Sequence, residues 1–177
     1  MKNLSKKIEV AANVAIIVVA ILLGAVLVRR YLLPASPPPS PTEAARIKPG
    51  TKLSLPGVDW GGSSRTLLMV LSTNCRYCTE SAPFYQRLAR EKAGRPEVRL
   101  LAVLPQPVEE SKKYLGDHGV AADDVRQTSP GALGVAGTPT LVLVDKTGAV
   151  VESWVGKLPP ATENEVVNRL LAAPAAN

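Results

Sequence analysis

The two cysteines of this 177-residue chain, Cys75 and Cys78, are separated by two residues in the segment STNCRYCTESAP. Positions i and i+3 of a helical turn share a face, so two such thiols can form and break a disulfide without a large backbone movement. A disulfide between them would close almost no loop and would therefore stabilise the fold very little. The spacing favours a redox-active pair over a purely structural bridge.

A metal site is another use of two thiols. Structural zinc takes four ligands, usually from two Cys-x-x-Cys pairs or from added histidines. Besides its two cysteines the chain has one histidine, His118, which falls in a predicted turn after a helix and is most simply a solvated side chain. Zinc is therefore disfavoured. Two thiolates could hold Cu(I), so a copper role stays open.

The neighbours of Cys75 favour it as the attacking sulfur. It is predicted at a helix N-terminus, where the helix dipole and free N–H groups stabilise a thiolate and Asn74 or Thr73 caps the helix. Arg76 adds a positive charge beside it. Both effects lower the pKa of a thiol, which leaves Cys78 as the resolving sulfur.

The predicted elements place this pair where a strand gives way to a helix. A buried strand at 66–72 leads into the helical segment with the cysteines, in which Tyr77 is either a docking surface or an ordinary exposed aromatic residue. A second buried strand is predicted at 98–104, then a surface helix, a β-hairpin over 139–155 and a closing helix. Upstream, KLSLPGVDWGGSSR (52–65) has the pattern of a short strand pair.

This order of elements predicts an α/β fold with a mixed sheet and helices on both faces. In open α/β sheets, functional sites form at the ends of the strands. The cysteine pair falls at such a strand end, which agrees with a reactive role.

The N-terminal part of the chain has a different composition. Residues 1–9 form a short basic N-terminus, and nineteen residues without a charge run from Val10 to Val28. A helix of that length covers roughly 28 Å, close to the hydrocarbon core of a bilayer. Two arginines follow instead of a small-x-small cleavage site, so a transmembrane anchor over 10–33 is favoured over a cleaved signal peptide.

The rest of the chain divides into a spacer and one domain. Residues 34–47 begin with five closely spaced prolines and are predicted to form an extended Pro-rich linker, and 48–177 suffice for one hydrophobic core. The net charge is +4 over residues 1–42 and +2 over 43–177. Most of the basic charge therefore flanks the predicted anchor, and nucleic-acid binding has little support.

The cysteine motif, Pro83 and the segment GVAGTPTLVLVDKTGAVVESWVG together resemble the thioredoxin superfamily over about residues 50–173. With the N-terminal anchor and linker, the chain is similar to the membrane-anchored TlpA/ResA-like thiol–disulfide oxidoreductases. The resemblance implies a thioredoxin-like mixed sheet preceded by one transmembrane helix. It also implies that Cys75 and Cys78 are the catalytic residues and that no cofactor is required.

Further roles follow from the resemblance at single positions. Pro139 matches the family's cis-proline, which faces the active disulfide. Thr138 matches the residue whose backbone pairs with an extended substrate. Pro83 matches the proline that kinks the helix. Two positions depart from the family. Met69 stands where thioredoxin has a buried aspartate that handles the proton of the second cysteine, and Ser81 stands where ResA-like members often carry a glutamate.

The resemblance implies an enzyme on the outer, periplasmic face of a bacterial plasma membrane. Its partners would be protein disulfides as substrates and a membrane reductase as electron donor. A peroxiredoxin-like peroxidase is an alternative. Its motif is Pro-x-x-x-Ser/Thr-x-x-Cys, in which Ser72 and Cys75 fit, but Leu68 stands at the position of the proline. A non-enzymatic copper or haem-delivery module is another, although the sequence has no methionine or histidine cluster.

Overall fold

The computed structural model of the protein describes residues 2–27 and 46–172, with side chains described from Asn13 onward in the first range. The chain divides into two compact units, the first of which contains the helix α1 (Lys2–Leu27). Among the described residues, no helical stretch combines the length and apolar character that a membrane crossing requires. The predicted anchor lies partly outside the described residues, and the predicted linker lies outside them except for its last two residues.

The second unit is built on a five-stranded mixed sheet with the strand order β3-β2-β1-β4-β5. Strands β1, β2 and β3 are parallel, β4 is antiparallel to β1, and β5 is antiparallel to β4. The predicted mixed sheet is therefore confirmed. The strands are β1 (Arg65–Val70), β2 (Val98–Leu104), β3 (Asp124–Gln127), β4 (Thr140–Asp145) and β5 (Val150–Val155).

Helices connect the strands. A short helix and a longer one follow β1, another lies between β2 and β3, a 3-10 helix precedes β4, and a last helix follows β5. These are α2 (Arg76–Glu80), α3 (Ala82–Glu91), α4 (Val108–Asp117), the 3-10 helix (Pro130–Leu133) and α5 (Pro160–Leu171).

The two faces of the sheet are covered differently. Alternate side chains of a strand point to opposite faces. Leu67 and Met69 of β1 pack into a cluster to which α3, α4 and α5 all contribute. Leu68 and Val70 pack into a second cluster with apolar residues of the segment 47–55 and of the 3-10 helix. The prediction of helices on both faces is therefore met only in part: the first face is covered by α-helices, and the second by the 3-10 helix together with loop residues.

The predicted strand pair at 52–65 is also wrong. Apart from the first residue of β1, the segment contributes one isolated bridge, between Lys52 and Ala149, and otherwise consists of turns, bends and irregular backbone. The Oδ1 atom of Asp59 accepts a hydrogen bond from the N–H of Gly61 at 2.9 Å. Such local hydrogen bonds from side chains give the backbone an alternative to pairing with another strand. The segment therefore forms turns instead of a strand pair.

Strand β3 was not predicted. Its sequence DVRQ has one apolar residue and no alternation of apolar and polar positions. It lies at the sheet edge and pairs with β2 alone, through Leu101–Leu104. Sheet pairing at an edge depends on the backbone and leaves little hydrophobic pattern in the sequence.

The predicted hairpin is confirmed, and it positions the site. The Asp145 carboxylate accepts the N–H groups of Thr147 and Ala149 at 2.7 and 3.1 Å, which closes the turn between β4 and β5. In the pairing of β1 with β4, Val70 lies opposite Thr140. The residues just before β4 are thereby held beside those just after β1, where the cysteine motif begins.

Candidate active site

The cysteine motif starts at the carboxyl end of β1. Leu71 extends the pairing of that strand, since its N–H donates to the carbonyl of Val103 at 2.9 Å. The chain then turns, and the N–H of Cys75 donates to the carbonyl of Ser72 at 3.1 Å. Helix α2 begins directly after Cys75, as predicted.

The capping residue of α2 differs from the prediction. Cys75 itself is the N-cap, with extended backbone angles (φ −101°, ψ 107°), and its Sγ atom accepts the N–H of Cys78 at 3.2 Å. Neither Thr73 nor Asn74 caps the helix. A cysteine Sγ lies one bond beyond Cβ, as a serine Oγ does, so the sulfur can occupy the position of an ordinary capping oxygen.

The two sulfurs differ in exposure and in acidity. Cys75 is half-buried, Cys78 is 1% exposed, and both are free thiols. Partial burial opposes ionisation of Cys75, but hydrogen bonds with Cys78, Thr138 and the backbone of Tyr77 outweigh it, so its pKa lies below the ordinary thiol value. Burial, followed by the hydrogen bond to Cys75, raises the pKa of Cys78 to about 12. As the pH rises, Cys75 therefore loses its proton before Cys78 does.

The segment before β4 lies against Cys75. The thiol of Cys75 contacts the carbonyl oxygen of Thr138 at 3.4 Å, a distance at which the S–H can donate. The Thr138–Pro139 peptide bond is cis, as predicted. Pro139 is buried, and its carbonyl accepts the N–H of Gly156 at 2.8 Å. The structure thus brings the Thr138–Pro139 segment beside Cys75, although Thr138 and Pro139 lie 60 or more residues after both cysteines in sequence.

Arg76 does not interact with Cys75 as the sequence suggested. Its Nε atom pairs with Glu80 Oε1 at 2.6 Å, and the other oxygen of Glu80 pairs with Lys157 at 2.9 Å. The Arg76 side chain is 86% exposed. It does not contribute to the lowered pKa of Cys75, which arises from hydrogen bonds. Asn74 directly precedes Cys75 and Tyr77 directly precedes Cys78, and both side chains are exposed.

The helix after the cysteines breaks at Ser81, close to the proline that predicted a kink. Helix α2 ends there, and the Ser81 hydroxyl donates to the carbonyl of Tyr77 at 2.8 Å. Helix α3 begins at the next residue, with Pro83 in its first turn. Met69 is fully buried in the cluster that contains Cys78. An apolar side chain therefore occupies the position at which the resemblance would place an aspartate.

Polar residues near the cysteines escaped the sequence analysis. Gln106 follows β2 and bonds to residues of the turn before Cys75. Glu110 of α4 accepts the hydroxyl of Thr73 at 3.3 Å. The ends of the neighbouring parallel strands β1 and β2 lie at one edge of the sheet, so the Pro-Gln-Pro segment after the second strand was a signal that these residues lie beside the motif.

A structural metal site would need further ligands beside the two thiols. Within residues 13–27 and 46–172, no three side chains among His, Cys, Asp and Glu lie close enough together to hold a metal ion. Cys75 and Cys78 lie together without a third such residue.

Known structures share this fold. A Chlorobium tepidum protein assigned as the thiol:disulfide interchange protein DsbE aligns with 71% of this chain and 96% of its own, at 23% identity and a TM-score of 0.58. A thioredoxin-family thiol:disulfide interchange protein of Chlorobium tepidum TLS aligns with 71% and 99%, at 19% identity and a TM-score of 0.55. The thioredoxin domain of a Bacteroides vulgatus thiol-disulfide oxidoreductase aligns with 71% and 99%, at 17% identity and a TM-score of 0.53.

Sequence comparison leads to the same family. No curated protein gives a significant sequence match. Residues 61–170, which contain the cysteine motif and every strand of the sheet, match the family model of the thioredoxin-like domain. The chain therefore belongs to the thioredoxin-like family.

Proposed function

We propose that this chain is a thiol–disulfide oxidoreductase that acts through Cys75 and Cys78. The observation that carries the proposal is the position of the Cys75 sulfur, which accepts the N–H of Cys78 at 3.2 Å and lies 3.4 Å from the carbonyl of Thr138. A thiolate that accepts the N–H of Cys78, beside a second thiol that keeps its proton, is the arrangement that disulfide exchange needs. The structural neighbours named above are of the same class.

The reaction proceeds in two exchanges. The Cys75 thiolate attacks one sulfur of a substrate disulfide, forms a mixed disulfide and releases the other substrate sulfur as a thiolate, which takes up a proton. Cys78 then loses its proton and attacks the Cys75 sulfur. This step forms the Cys75–Cys78 disulfide and releases the second substrate sulfur. Two electrons have passed to the substrate, and a donor must return them to the pair.

Thr138 and Pro139 are proposed as the substrate-binding residues. Thr138 is half-buried beside the Cys75 sulfur, so an extended substrate segment could pair with its backbone while presenting a disulfide to that sulfur. Asn74, Arg76 and Tyr77 are exposed next to Cys75. We assign them to contacts with the substrate surface, because their side chains are exposed around the motif.

The test is reduction of a protein disulfide by the purified full-length chain, with dithiothreitol as electron donor. We expect the wild type to reduce the disulfide faster than dithiothreitol alone, and Cys75→Ser to give only the rate of dithiothreitol alone. Turnover of hydrogen peroxide in place of disulfides would favour the peroxidase instead. Stoichiometric Cu(I) binding without thiol exchange would favour a copper-delivery module and overturn the proposal.

The direction of electron flow is proposed to be reductive, with a membrane reductase as donor. The reduction potential of the Cys75–Cys78 pair tests this directly. A potential near that of thioredoxin, about −270 mV, indicates a reductant, whereas one near −120 mV indicates an oxidant.

We also propose that residues 10–33 tether the catalytic domain, residues 48–177, to the outer face of a bacterial plasma membrane, with 34–47 as spacer. Support comes from the uncharged stretch of α1, whose described large apolar side chains are between 49% exposed, at Val18, and 66% exposed, at Ile16. The full chain should remain in the membrane pellet after alkaline carbonate extraction. A reporter that is active only outside the cytoplasm should be active when fused after residue 177, and activity of a cytoplasm-dependent reporter instead would reverse the orientation.

A further inference from the structure

The turn before Cys75, residues 72–74, is hydrogen-bonded by one side chain to the loop that follows β2. Gln106 accepts the N–H of Thr73 on its Oε1 atom at 3.4 Å and donates from Nε2 to the Ser72 hydroxyl at 3.2 Å. The Ser72 carbonyl in turn accepts the N–H of Cys75 at 3.1 Å. A single amide therefore bonds to two consecutive residues of the turn, one of which bonds directly to the N-cap cysteine.

Gln106 is itself well fixed. It lies between Pro105 and Pro107, and a residue that precedes proline is restricted to extended backbone angles. Its carbonyl accepts the hydroxyl of Ser111 at 3.2 Å, and Ser111 is fully buried in the first turn of α4. The side-chain amide of Gln106 thus extends from a restrained backbone toward the turn. Its hydrogen bonds restrain Ser72 and Thr73 relative to that backbone.

The position of this turn decides which hydrogen bonds the Cys75 sulfur receives. As the N-cap, Cys75 places its sulfur 3.2 Å from the backbone nitrogen of Cys78, well within reach of a hydrogen bond to sulfur. A small rotation of the turn would lengthen this bond and weaken the stabilisation of a thiolate.

We infer that Gln106 is a positioning residue for the proposed exchange reaction, holding Ser72 and Thr73 so that the Cys75 sulfur stays in reach of the N–H of Cys78. This inference rests on the proposed function. Gln106 touches neither sulfur and acts through the turn alone.

The test is the pH dependence of Cys75 alkylation in the full-length chain, measured with iodoacetamide and mass spectrometry for wild type and for Gln106→Ala. We expect the midpoint of the Gln106→Ala profile to lie at higher pH. The alkylation rate near pH 7 should be about fivefold lower, the size expected for loss of one net hydrogen bond. Gln127→Ala is the matched control, because Gln127 is exposed and donates to the carbonyl of Pro105 in the same loop.

If Gln106→Ala does not fold, Ser72→Ala provides the test. This variant removes the hydroxyl that accepts the hydrogen bond from Gln106 Nε2. It should shift the pH profile of Cys75 alkylation to higher pH as well. The double variant should shift it by less than the sum of the two single variants. A wild-type alkylation profile in folded Gln106→Ala, with or without a lower melting temperature, overturns the inference. Alkylation requires no substrate exchange, so failure of the wild type to reduce disulfides would reject the proposed function separately.

Discussion

The backbone nitrogen of Cys78 donates to the Sγ atom of Cys75 at 3.2 Å, so the second cysteine of the motif helps to stabilise the first. Cys75 is the N-cap of α2, and its sulfur occupies the site at which serine or aspartate oxygens usually accept this bond. The same turn of helix leaves the Cys78 thiol 1% exposed. One local geometry therefore makes one sulfur accessible and acidic and the other buried and protonated.

This asymmetry predicts that Cys75 is alkylated faster than Cys78 in the reduced protein. The pKa of Cys75 lies below the ordinary thiol value, so its thiolate fraction at pH 7 exceeds that of a free cysteine, whereas Cys78, with a pKa of about 12, stays protonated. Iodoacetamide labelling followed by peptide mass spectrometry measures both rates. Cys78→Ser should accumulate mixed disulfides with substrate and Cys75→Ser should not. Equal labelling rates for the two sulfurs would contradict the assignment.

Replacing Arg76 should have little effect on the acidity of Cys75. The Arg76 side chain is exposed and paired with Glu80, and the pKa of Cys75 is lowered by hydrogen bonds rather than by that charge. Arg76→Ala should therefore leave the pH profile of Cys75 alkylation unchanged within error. The matched control is Lys157→Ala, which removes the other partner of Glu80. A shift of the Arg76→Ala profile to higher pH would restore the role that the sequence suggested for this charge.

The contrast between Arg76 and Thr138 shows what the sequence could predict of the site. The positions of the cysteines at a strand end and of Thr138 and Pro139 before a hairpin follow from local patterns and from the family resemblance. The direction in which an exposed side chain points depends on its hydrogen-bond or ion-pair partner, such as Glu80 or Gln106. The periodicity of apolar residues in the sequence does not identify such partners. Likewise, the apolar runs of β1 and β2 predict those two strands. The edge strand β3 has no such run, because it depends on backbone pairing with β2.

Ile47, the last residue before the domain, is predicted to contribute to the stability of the domain through Ser153 of β5. The Ser153 hydroxyl accepts the N–H of Ile47 at 2.9 Å and donates to the carbonyl of the same residue at 3.1 Å. Ser153 is 3% exposed, so Ser153→Ala would leave two buried backbone groups without this partner. The free energy of unfolding should fall by about 1–3 kcal/mol, measured by urea denaturation.

Ser129→Ala is the control for that measurement. Ser129 is exposed and its side chain makes no capping bond to the 3-10 helix that follows it. Its replacement should change the free energy of unfolding by less than about 0.5 kcal/mol. An equally small effect at Ser153 would show that water replaces its two hydrogen bonds.

Met69 determines how the Cys78 proton can leave. The side chain is fully buried in the cluster that contains Cys78 and cannot accept a proton. Met69→Asp should accelerate the release of mixed disulfide near neutral pH, because burial raises the pKa of a carboxyl toward the range in which it exchanges protons with a thiol. The same burial should lower the free energy of unfolding by about 3 kcal/mol or more. Stopped-flow measurement of resolution gives the rate, and chemical denaturation gives the stability.

Met69→Leu separates the two effects of that substitution. It conserves volume and polarity, so it should change stability by less than about 1.5 kcal/mol and leave the rate of resolution unchanged. If Met69→Asp folds and resolves mixed disulfides no faster than Met69→Leu, a carboxyl at position 69 does not reach the Cys78 proton. The proton would then have to leave by another route, and position 69 would not be the equivalent of the thioredoxin aspartate.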